Sequence, residues 1–456
     1  MLRKTLIIIA TISISALGTG YAQQTQPIQP KIIETPLPPR IEITHSVPTD
    51  IPNRPLTATE AAQIALIHQP NVAIAQEGVV AAKGNQEQAA SRQNPALVVS
   101  AGYSGVGPNP TNTTGAATGL SANGYSASGT VDQLLFDFNH TRETVRQAVE
   151  ETRFSMATLT KTQSDTVFQV KQGFYAYLQA EHLVSVNESN LRNQQSHLAL
   201  AQARLKAGVG LPSDVVRAET AVSDAVFSLN LAQNTAAISR VSLAVLIGID
   251  PRTPIQAAES DEPAAPATNL DDLVQLGLTN RPEIAQAEAN IKASRHGLSA
   301  AKTSNSPAII ADAGWGGRGT VISMDQSGAF FAGVELAFDP FDGGLTAGKV
   351  KQAKANLQIA DQGMTLSQQG VISDVSQAYL NMKTAEQRVT TAEAEVANAN
   401  ESERLAEGRY KSGLGTFLDV LDAQAAEVTA DTNRVNAIAA VDQARAALSH
   451  AIGNGL

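Results

Sequence analysis

The sequence of 456 residues contains no cysteine, a single tryptophan and few aromatic side chains. The absence of cysteine excludes a disulfide framework, a thiolate metal site and lipid attachment through a cysteine. After the first 22 residues, no apolar run reaches the roughly 18 residues that a transmembrane helix needs. If the chain enters a membrane beyond that point, we expect it to do so with β-strands.

Sequence motifs that could indicate catalysis or ligand binding occur without the companion residues or the structural context that such sites need. The seven histidines have no metal-ligand spacing, and the formal net charge of −10 disfavours nucleic acid as a partner. Gly314, Gly316 and Gly319 fit a dinucleotide fingerprint, but no helix is predicted after them. Ser299 and Lys302 have the spacing of a penicillin-binding nucleophile without its companion motifs. We predict that the protein is not an enzyme and uses no cofactor or metal.

Residues 1–22 have the features of a secretory signal. Two basic residues precede an apolar run, and a small-x-small cleavage site follows at Gly20-Tyr21-Ala22. Residues 23–55 are rich in proline and have little apolar pattern, which indicates an extended lead-in. The sequence therefore predicts a protein located outside the inner membrane.

The chain contains an internal repeat. The stretch at Arg204–Glu219 occurs again at Arg409–Gln424, and the same offset relates other segments of the two halves. A repeat of this length predicts two large equivalent units rather than a solenoid of short repeats. We place these units at residues 56–248 and 270–456, with a proline-containing linker at 249–269.

Four segments alternate apolar and polar side chains with the period of two that a β-strand shows. They are residues 97–106, 124–136, 308–318 and 328–338. Their length suits tilted membrane strands of about 9–11 residues, although two soluble hairpins with one packed face are the alternative. We expect Glu335 on the lumenal face. The predicted lipid-facing residues are Val99, Tyr103, Trp315, Phe330, Val334 and Leu336.

Long helical segments follow each strand pair. Apolar residues spaced by sevens, as from Val170 and from Val375, predict two long coiled-coil helices. Pro70 is expected to break an earlier helical segment near Gln69. The predicted helices are 57–92, 139–207, 213–246, 270–301, 344–411 and 416–451. The segments 213–246 and 416–451, here called the return helices, are about half as long as the long helices that precede them. The segments 57–92 and 270–301 have the length to continue these return helices end to end.

Each copy of the repeated stretch predicts the tip of a helical hairpin, at residues 208–213 and 412–417. Two glycines in each copy are expected to supply positive φ where the long helix ends. Ser213 and Thr416 are then expected to cap the return helices.

Four strands cannot close a membrane barrel, and an open sheet edge in lipid leaves backbone groups unpaired. We therefore expect several copies to pool their strands. The order of elements, given twice, resembles the TolC family of outer-membrane efflux ducts over about residues 56–453. The most specific parts of the resemblance are the Phe-Asp-Gly-Gly sequence at 341–344 and the tip at Arg409–Gln424.

The resemblance implies a mainly α-helical fold with a membrane β-barrel contribution. It implies a homotrimer with a twelve-stranded barrel in outer-membrane lipid and a helical tunnel through the periplasm. The implied partners are a periplasmic adaptor, which binds at the tips, and an inner-membrane RND or ABC transporter. Two features depart from the family pattern. The first strand-to-helix junction, residues 136–139, has no glycines, and Arg217 stands where the second tip has Asp422.

The predicted function is a passive exit duct of a tripartite efflux or type I secretion system. A periplasmic coiled-coil adaptor or scaffold is the alternative, because it would also have helical hairpins. A cell-wall hydrolase is disfavoured by the absence of a catalytic set.

The predicted functional residues lie at the tips. The periplasmic entrance is expected to carry Asp419 and Asp422, with Asp214 and Arg217 from the first tip. The resemblance implies that this position lines the periplasmic mouth. We hypothesise that the two carboxylates form a ring that selects cations and that Arg217 helps to hold the mouth shut. Helix capping is the alternative role of Asp419. The predicted adaptor contacts, for which turn geometry alone is the other explanation, are Gly208, Val209, Gly210, Leu211, Gly413, Leu414 and Gly415.

Overall fold

The computed structural model describes residues 54–106, 122–259, 269–320 and 327–454. The predicted signal segment, the lead-in up to residue 53 and residues 260–268 of the linker lie outside the described residues. In chain order the elements are α1 (Ala58–His68), α2 (Pro70–Ser91), β1 (Ala96–Val106), β2 (Ala122–Phe136), α3 (His140–Lys206), α4 (Pro212–Ile247), α5 (Leu270–Asn280), α6 (Pro282–Lys302), β3 (Ala308–Thr320), β4 (Ser327–Ala337), α7 (Leu345–Lys411) and α8 (Phe417–Ala451).

The two long helices dominate the molecule. α3 and α7 have 67 residues each and are therefore about 100 Å long at 1.5 Å per residue. Buried positions recur at the expected spacing of seven, as with Val170 and Tyr177 in α3 and Val375 and Met382 in α7. Each long helix packs along its own return helix, α4 or α8. None of the described helices combines the length and the apolar character that a membrane crossing requires.

The return helix α4 is continued by α2. Gly248 follows α4 with a φ of 84° and lies against the backbone of His68 at the end of α1. Gln69 Nε2 donates to the carbonyl of Leu246 at 2.9 Å. α2 then begins at Pro70, as expected for a residue that lacks an N–H and has φ already suited to the first helical position.

We call the place where one helix continues another end to end a joint. The second unit has an equivalent joint, between α8 and α6. Gly453 (φ 78°) lies against the backbone of Asn280 and Arg281, and the Arg281 guanidinium donates to the carbonyl of His450 at 3.2 Å. The prediction of one helix over 270–301 is wrong, because the chain turns at Arg281 and a new helix begins at Pro282.

The glycines of the tips have two separate roles. Gly208 and Gly413 have a φ of 76° and end the long helices, as predicted. The second glycines do not have positive φ, which corrects the prediction for them. They are required by close packing, because a side-chain carbon at Gly210 would lie 2.7 Å from the backbone nitrogen of Leu205.

The two return helices begin differently. Thr416 caps α8 as predicted, and its partner in the capping box is Asp419. Ser213 does not cap α4, because that helix begins one residue earlier, at Pro212, with Leu211 in the cap position and no side-chain cap. Proline at the first position leaves one fewer backbone donor for a cap to satisfy.

The four strands form one antiparallel sheet in the order β1-β2-β3-β4. Val99 lies opposite Gly129, Gly129 opposite Trp315, and Trp315 opposite Phe330. Residues directly opposite share a face, so these residues define one apolar face of the sheet. Asp312, one residue from Ala311 and Ala313, lies on the other, polar face.

The helices lie side by side in a layer that does not close on itself. On the tip side of the joints the packed neighbours are α4, α3, α8 and α7 in that order, and on the strand side they are α2, α3, α6 and α7. One edge of the layer is therefore α7, and the other is α4 continued by α2. The sheet ends in the same way, since β1 and β4 each pair with one neighbour within the described residues.

Candidate functional site: the paired tips

The two helical tips pack against each other at the end of the molecule opposite the sheet. A buried cluster joins Ala201 and Ala218 of the first hairpin to Tyr410, Phe417 and Val420 of the second. The tips therefore form one structural unit with a shared buried cluster.

A polar link crosses this unit. The Tyr410 hydroxyl donates to Asp214 Oδ2 at 3.2 Å. The Arg204 guanidinium lies 4.7 Å from the centre of the Tyr410 ring and donates to the carbonyl of Lys411 at 3.0 Å. Burial, reinforced by the Asp214 carboxylate, raises the pKa of Tyr410, so its hydroxyl remains a donor at neutral pH.

Sequence reasoning assigned Asp214 to the entrance but missed both Tyr410 and Arg204 as its companions. The available signal was the departure from the repeat at this point, because the twin of Tyr410 in the first tip is Leu205. An aromatic hydroxyl that replaces an aliphatic residue within an apolar seam requires a hydrogen-bond partner.

The loops of the tips carry exposed apolar side chains. Val209 and Leu211 are exposed in the first tip, and Leu414 is 84% exposed in the second. Gly208 and Gly413 have open space where a side chain would be. The end of the molecule therefore presents a small apolar surface rimmed by the charged side chains of α4 and α8.

Asp419 and Asp422 both lie at the start of α8, exposed to solvent. The Thr416 N–H donates to Asp419 Oδ2 at 2.9 Å, and this bond holds the pKa of Asp419 below its usual range. In the part of the chain that the structure describes, Asp422 and Arg217 form neither a hydrogen bond nor an ion pair. A single chain thus does not join Arg217 to either carboxylate.

A second polar cluster lies at the joint between α8 and α6 and connects the two units. Arg281 is 8% exposed, and it contacts Asp374 Oδ2 at 3.2 Å as well as the carbonyl of His450. His450 Nε2 lies 3.0 Å from Asp165 Oδ1 of α3. Burial alone would raise the pKa of Asp165, but hydrogen bonds from His450 and Lys161 outweigh it and lower the pKa to about 2.

The predicted lipid-facing residues all belong to the apolar face of the sheet. The register places Val99, Trp315 and Phe330 in one row, and Val334 and Leu336 opposite Ala311 and Ile309. In the single chain the exposed side chains are those of Val99, Tyr103, Trp315, Phe330, Val334 and Leu336.

Comparison with known proteins agrees with this architecture. The model of the family described as outer membrane efflux protein matches residues 61–249 and 273–454. The chain is 26% identical to the outer membrane efflux protein BepC of Brucella suis over 66% of this chain and 67% of that protein. It is 28% identical to the toluene efflux pump outer membrane protein TtgC of Pseudomonas putida over 66% of this chain and 63% of that protein.

The fold has also been observed in solved structures. The open-state MtrE outer membrane channel of Neisseria gonorrhoeae superposes with a TM-score of 0.73 at 19% identity, over 92% of this chain and 97% of that chain. The sequence matches to BepC and TtgC, by contrast, span about two thirds of the length of those relatives.

The family model covers most of the chain, and the protein belongs to the outer membrane efflux protein family. The predicted family and the predicted class, an outer-membrane efflux channel rather than a periplasmic adaptor, are thereby confirmed. Members of this family are channel proteins and not enzymes.

Proposed function

We propose that three copies of this chain close into one duct, with a twelve-stranded barrel in the outer membrane and a helical tunnel through the periplasm. The observation that carries the proposal is that the helical layer and the sheet end on the same two edges, one formed by α7 and β4 and the other by α4, α2 and β1. Each copy then covers the open edge of the next. A ring of this kind leaves no strand edge unpaired in lipid.

The helical edges have the surface that such a contact needs. α4 exposes a stripe of apolar side chains at spacings of four and seven, formed by Phe227, Leu231, Ile238 and Val245. α7 exposes a second stripe at multiples of seven. Leu380 lies on the tip side of the joint at Asp374, whereas Ile359 and Leu366 lie on its strand side, where the opposite edge is α2. Spacing by sevens is the pattern of a coiled-coil seam, and burial of each such side chain contributes about 1.5–3 kcal/mol.

The strand edges supply the second half of the contact. Four strands from each of three chains give the number required for a barrel of about twelve strands, which is above the smallest closed bacterial barrels of about eight. Closure pairs β4 of one copy with β1 of the next. The apolar face of the sheet then contacts lipid, and the face with Asp312 lines the lumen.

The partners and the cargo follow from the family. Its channels work with periplasmic adaptors and inner-membrane transporters in tripartite pumps. We assign the adaptor contact to the exposed tip residues around Val209 and Leu414, and the entrance to the carboxylates of α8. The relatives BepC and TtgC are named for efflux, and TtgC for efflux of toluene, which favours export of small molecules over type I secretion. The proposed inner-membrane partner is an RND or ABC transporter.

The stripe of exposed apolar side chains on α4 provides the test. Replacement of Leu231 and Ile238 together by glutamate places charges in the proposed interface and should abolish the SDS-resistant trimer. Because both side chains are already exposed in the single chain, helix content measured by circular dichroism should remain unchanged. Trimers that persist in the double variant would contradict the proposal.

α8 offers a matched control for this test. Ile438 is 39% exposed and Ile238 is 58% exposed, but α8 lies inside the layer and not at its edge. Ile438→Glu should therefore leave the trimer intact. Loss of the trimer in Ile438→Glu would indicate a general effect of charge on the helices rather than an interface.

A further inference from the structure

We propose that the outer side of the helices directly below the sheet binds the headgroups of anionic phospholipids. This inference rests on the proposed function, because it requires the sheet to lie in a membrane. The surface, here named the basic belt, is formed by Arg142, Arg146 and Arg153 of α3, Lys292, Arg295 and Lys302 of α6, and Lys351 and Lys354 of α7.

The members of the basic belt share one side of the helical layer. A polar groove on the opposite side is lined by Gln147 of α3, Gly297 of α6 and Lys349 of α7. Every member of the belt except Arg153 lies five residues from a groove residue, as Lys354 does from Lys349. Five residues correspond to about 140° around an α-helix, so the belt and the groove face away from each other.

The groove lies on the same side of the molecule as the polar face of the sheet. A cavity of about 500 Å³ is lined by polar-face strand residues, including Asp132 and Ile310, together with His140. His140 and the groove residue Gln147 are seven residues apart on α3 and therefore belong to one stripe. The basic belt consequently continues the apolar, lipid-contacting face of the sheet downward onto the helices.

The belt begins at the height of the membrane surface. Arg142 is two residues below the start of α3, Lys302 is the last residue of α6, and Lys351 is six residues below the start of α7. At 1.5 Å per residue, these residues lie within about 10 Å of the strand-side ends of their helices. The headgroup layer on each side of a bilayer is about 5–8 Å thick, and charges act across about 8 Å at physiological salt.

Among the described residues, more of the cationic side chains of the belt lack an acidic partner than have one. Arg146, Arg153 and Lys292 each pair with a glutamate of the same helix. The other five members form no ion pair within the described residues. In α7 no carboxylate occurs before Asp361, although lysines near a helix N-terminus oppose the helix dipole. An external anion with phosphate chemistry would balance this charge.

The test counts the lipids that remain bound to the trimer. The full-length protein is purified in a neutral detergent, mixed with equal amounts of phosphatidylglycerol and phosphatidylcholine, and examined by native mass spectrometry. One cation near a charged bilayer is worth about 1 kcal/mol, so the wild type should retain roughly fivefold or more phosphatidylglycerol over phosphatidylcholine. Charge reversal by Lys351→Glu with Lys354→Glu should bring this ratio close to one.

Two variants keep the test specific. Lys349→Glu reverses a charge on the groove side of the same helix and should retain the preference. Lys351→Arg with Lys354→Arg keeps both charges and should also retain it. If the proposed function fails, the wild type forms no trimer in either lipid, which differs from a trimer without lipid preference.

Three outcomes would overturn the inference. They are equal binding of the two lipids by the wild-type trimer, equal loss of preference in Lys349→Glu, and an unchanged preference after reversal of Lys351 and Lys354. Loss of binding to purified peptidoglycan in the double variant, without a lipid preference in the wild type, would assign the belt to the cell wall instead.

Discussion

At the scale of single residues, Asp419 and Asp422 are neighbours on α8 with different surroundings. The Asp419 carboxylate accepts the Thr416 N–H and completes a capping box, whereas Asp422 forms no hydrogen bond or ion pair within the described residues. A carboxylate whose pKa is lowered by folding stabilises the folded state above its unfolded pKa, and this contribution is lost as the pH falls through the folded pKa. If the proposal for the entrance holds, removal of the Asp419 charge affects both the cap and the entrance, and removal of the Asp422 charge affects the entrance alone.

We predict that Asp422→Asn lowers the cation selectivity of the channel without a measurable change in stability. Asp419→Asn should lower both selectivity and the stability of the start of α8 at neutral pH. Reversal potentials in planar bilayers under a salt gradient measure the first property, and hydrogen exchange of the first turns of α8 measures the second. Asp431→Asn, farther along the same helix and paired with Arg434, is the control that should not change selectivity. Unchanged selectivity in the Asp419 and Asp422 double variant would leave capping as the only role.

At the scale of elements, the two joints that continue the return helices differ in chemistry. At the α4–α2 joint a neutral side chain, Gln69, donates to the end of α4. At the α8–α6 joint this position is Arg281, whose charge is buried and is compensated by Asp374 and Glu283. Removal of one partner from a buried ion pair leaves an uncompensated charge, which costs more than the loss of a neutral hydrogen bond.

We predict that Arg281→Gln lowers the free energy of unfolding by about 2–3 kcal/mol, a value reduced from that of a fully buried pair because Asp374 is partly exposed. Gln69→Leu, the matched change at the other joint, should cost about 1 kcal/mol. Urea unfolding followed by circular dichroism compares the two. Equal costs at both joints would show that the charge of Arg281 is not what stabilises its joint.

At the scale of the whole molecule, the sheet and the tips are separate surfaces to which we assign separate contacts. The sheet and the edge helices are assigned to lipid and to neighbouring copies. The tips lie about 100 Å away along α3 and α7, so a change there should not reach the edges. Leu414 is the most exposed apolar residue of the tips and makes no contribution to the buried tip cluster.

We predict that Leu414→Glu abolishes cross-linking to the periplasmic adaptor and export in cells, while the SDS-resistant trimer forms at the wild-type level. The physical reason is that a charge in a small apolar docking surface must be desolvated when the partner binds. Tyr410→Phe, which removes the bond to Asp214 and keeps the ring in place, is a control for disturbance of the tip. Retained export in Leu414→Glu would indicate that the tip glycines serve turn geometry only.

The sequence by itself determined the features that depend on local backbone geometry. Heptad spacing located α3 and α7, alternation located the four strands, and Thr416 located the start of α8. The repeat and the Phe-Asp-Gly-Gly junction at 341–344 determined the family. These signals can be seen in sequence because a helix and a strand impose fixed periods on the side chains that they bury. Ser213 was misassigned as a cap because α4 already begins at Pro212, with Leu211 in the cap position.

Only the tertiary structure decided which distant residues meet. Tyr410 and Asp214 are 196 positions apart and His450 and Asp165 are 285 apart, and no periodicity relates them. The tertiary structure also decided that the layer of helices and the sheet stop at the same two edges, and that the cations of α3, α6 and α7 lie on one side. These facts depend on how the helices are placed beside one another, which is set by packing between segments and not by the pattern within any one of them.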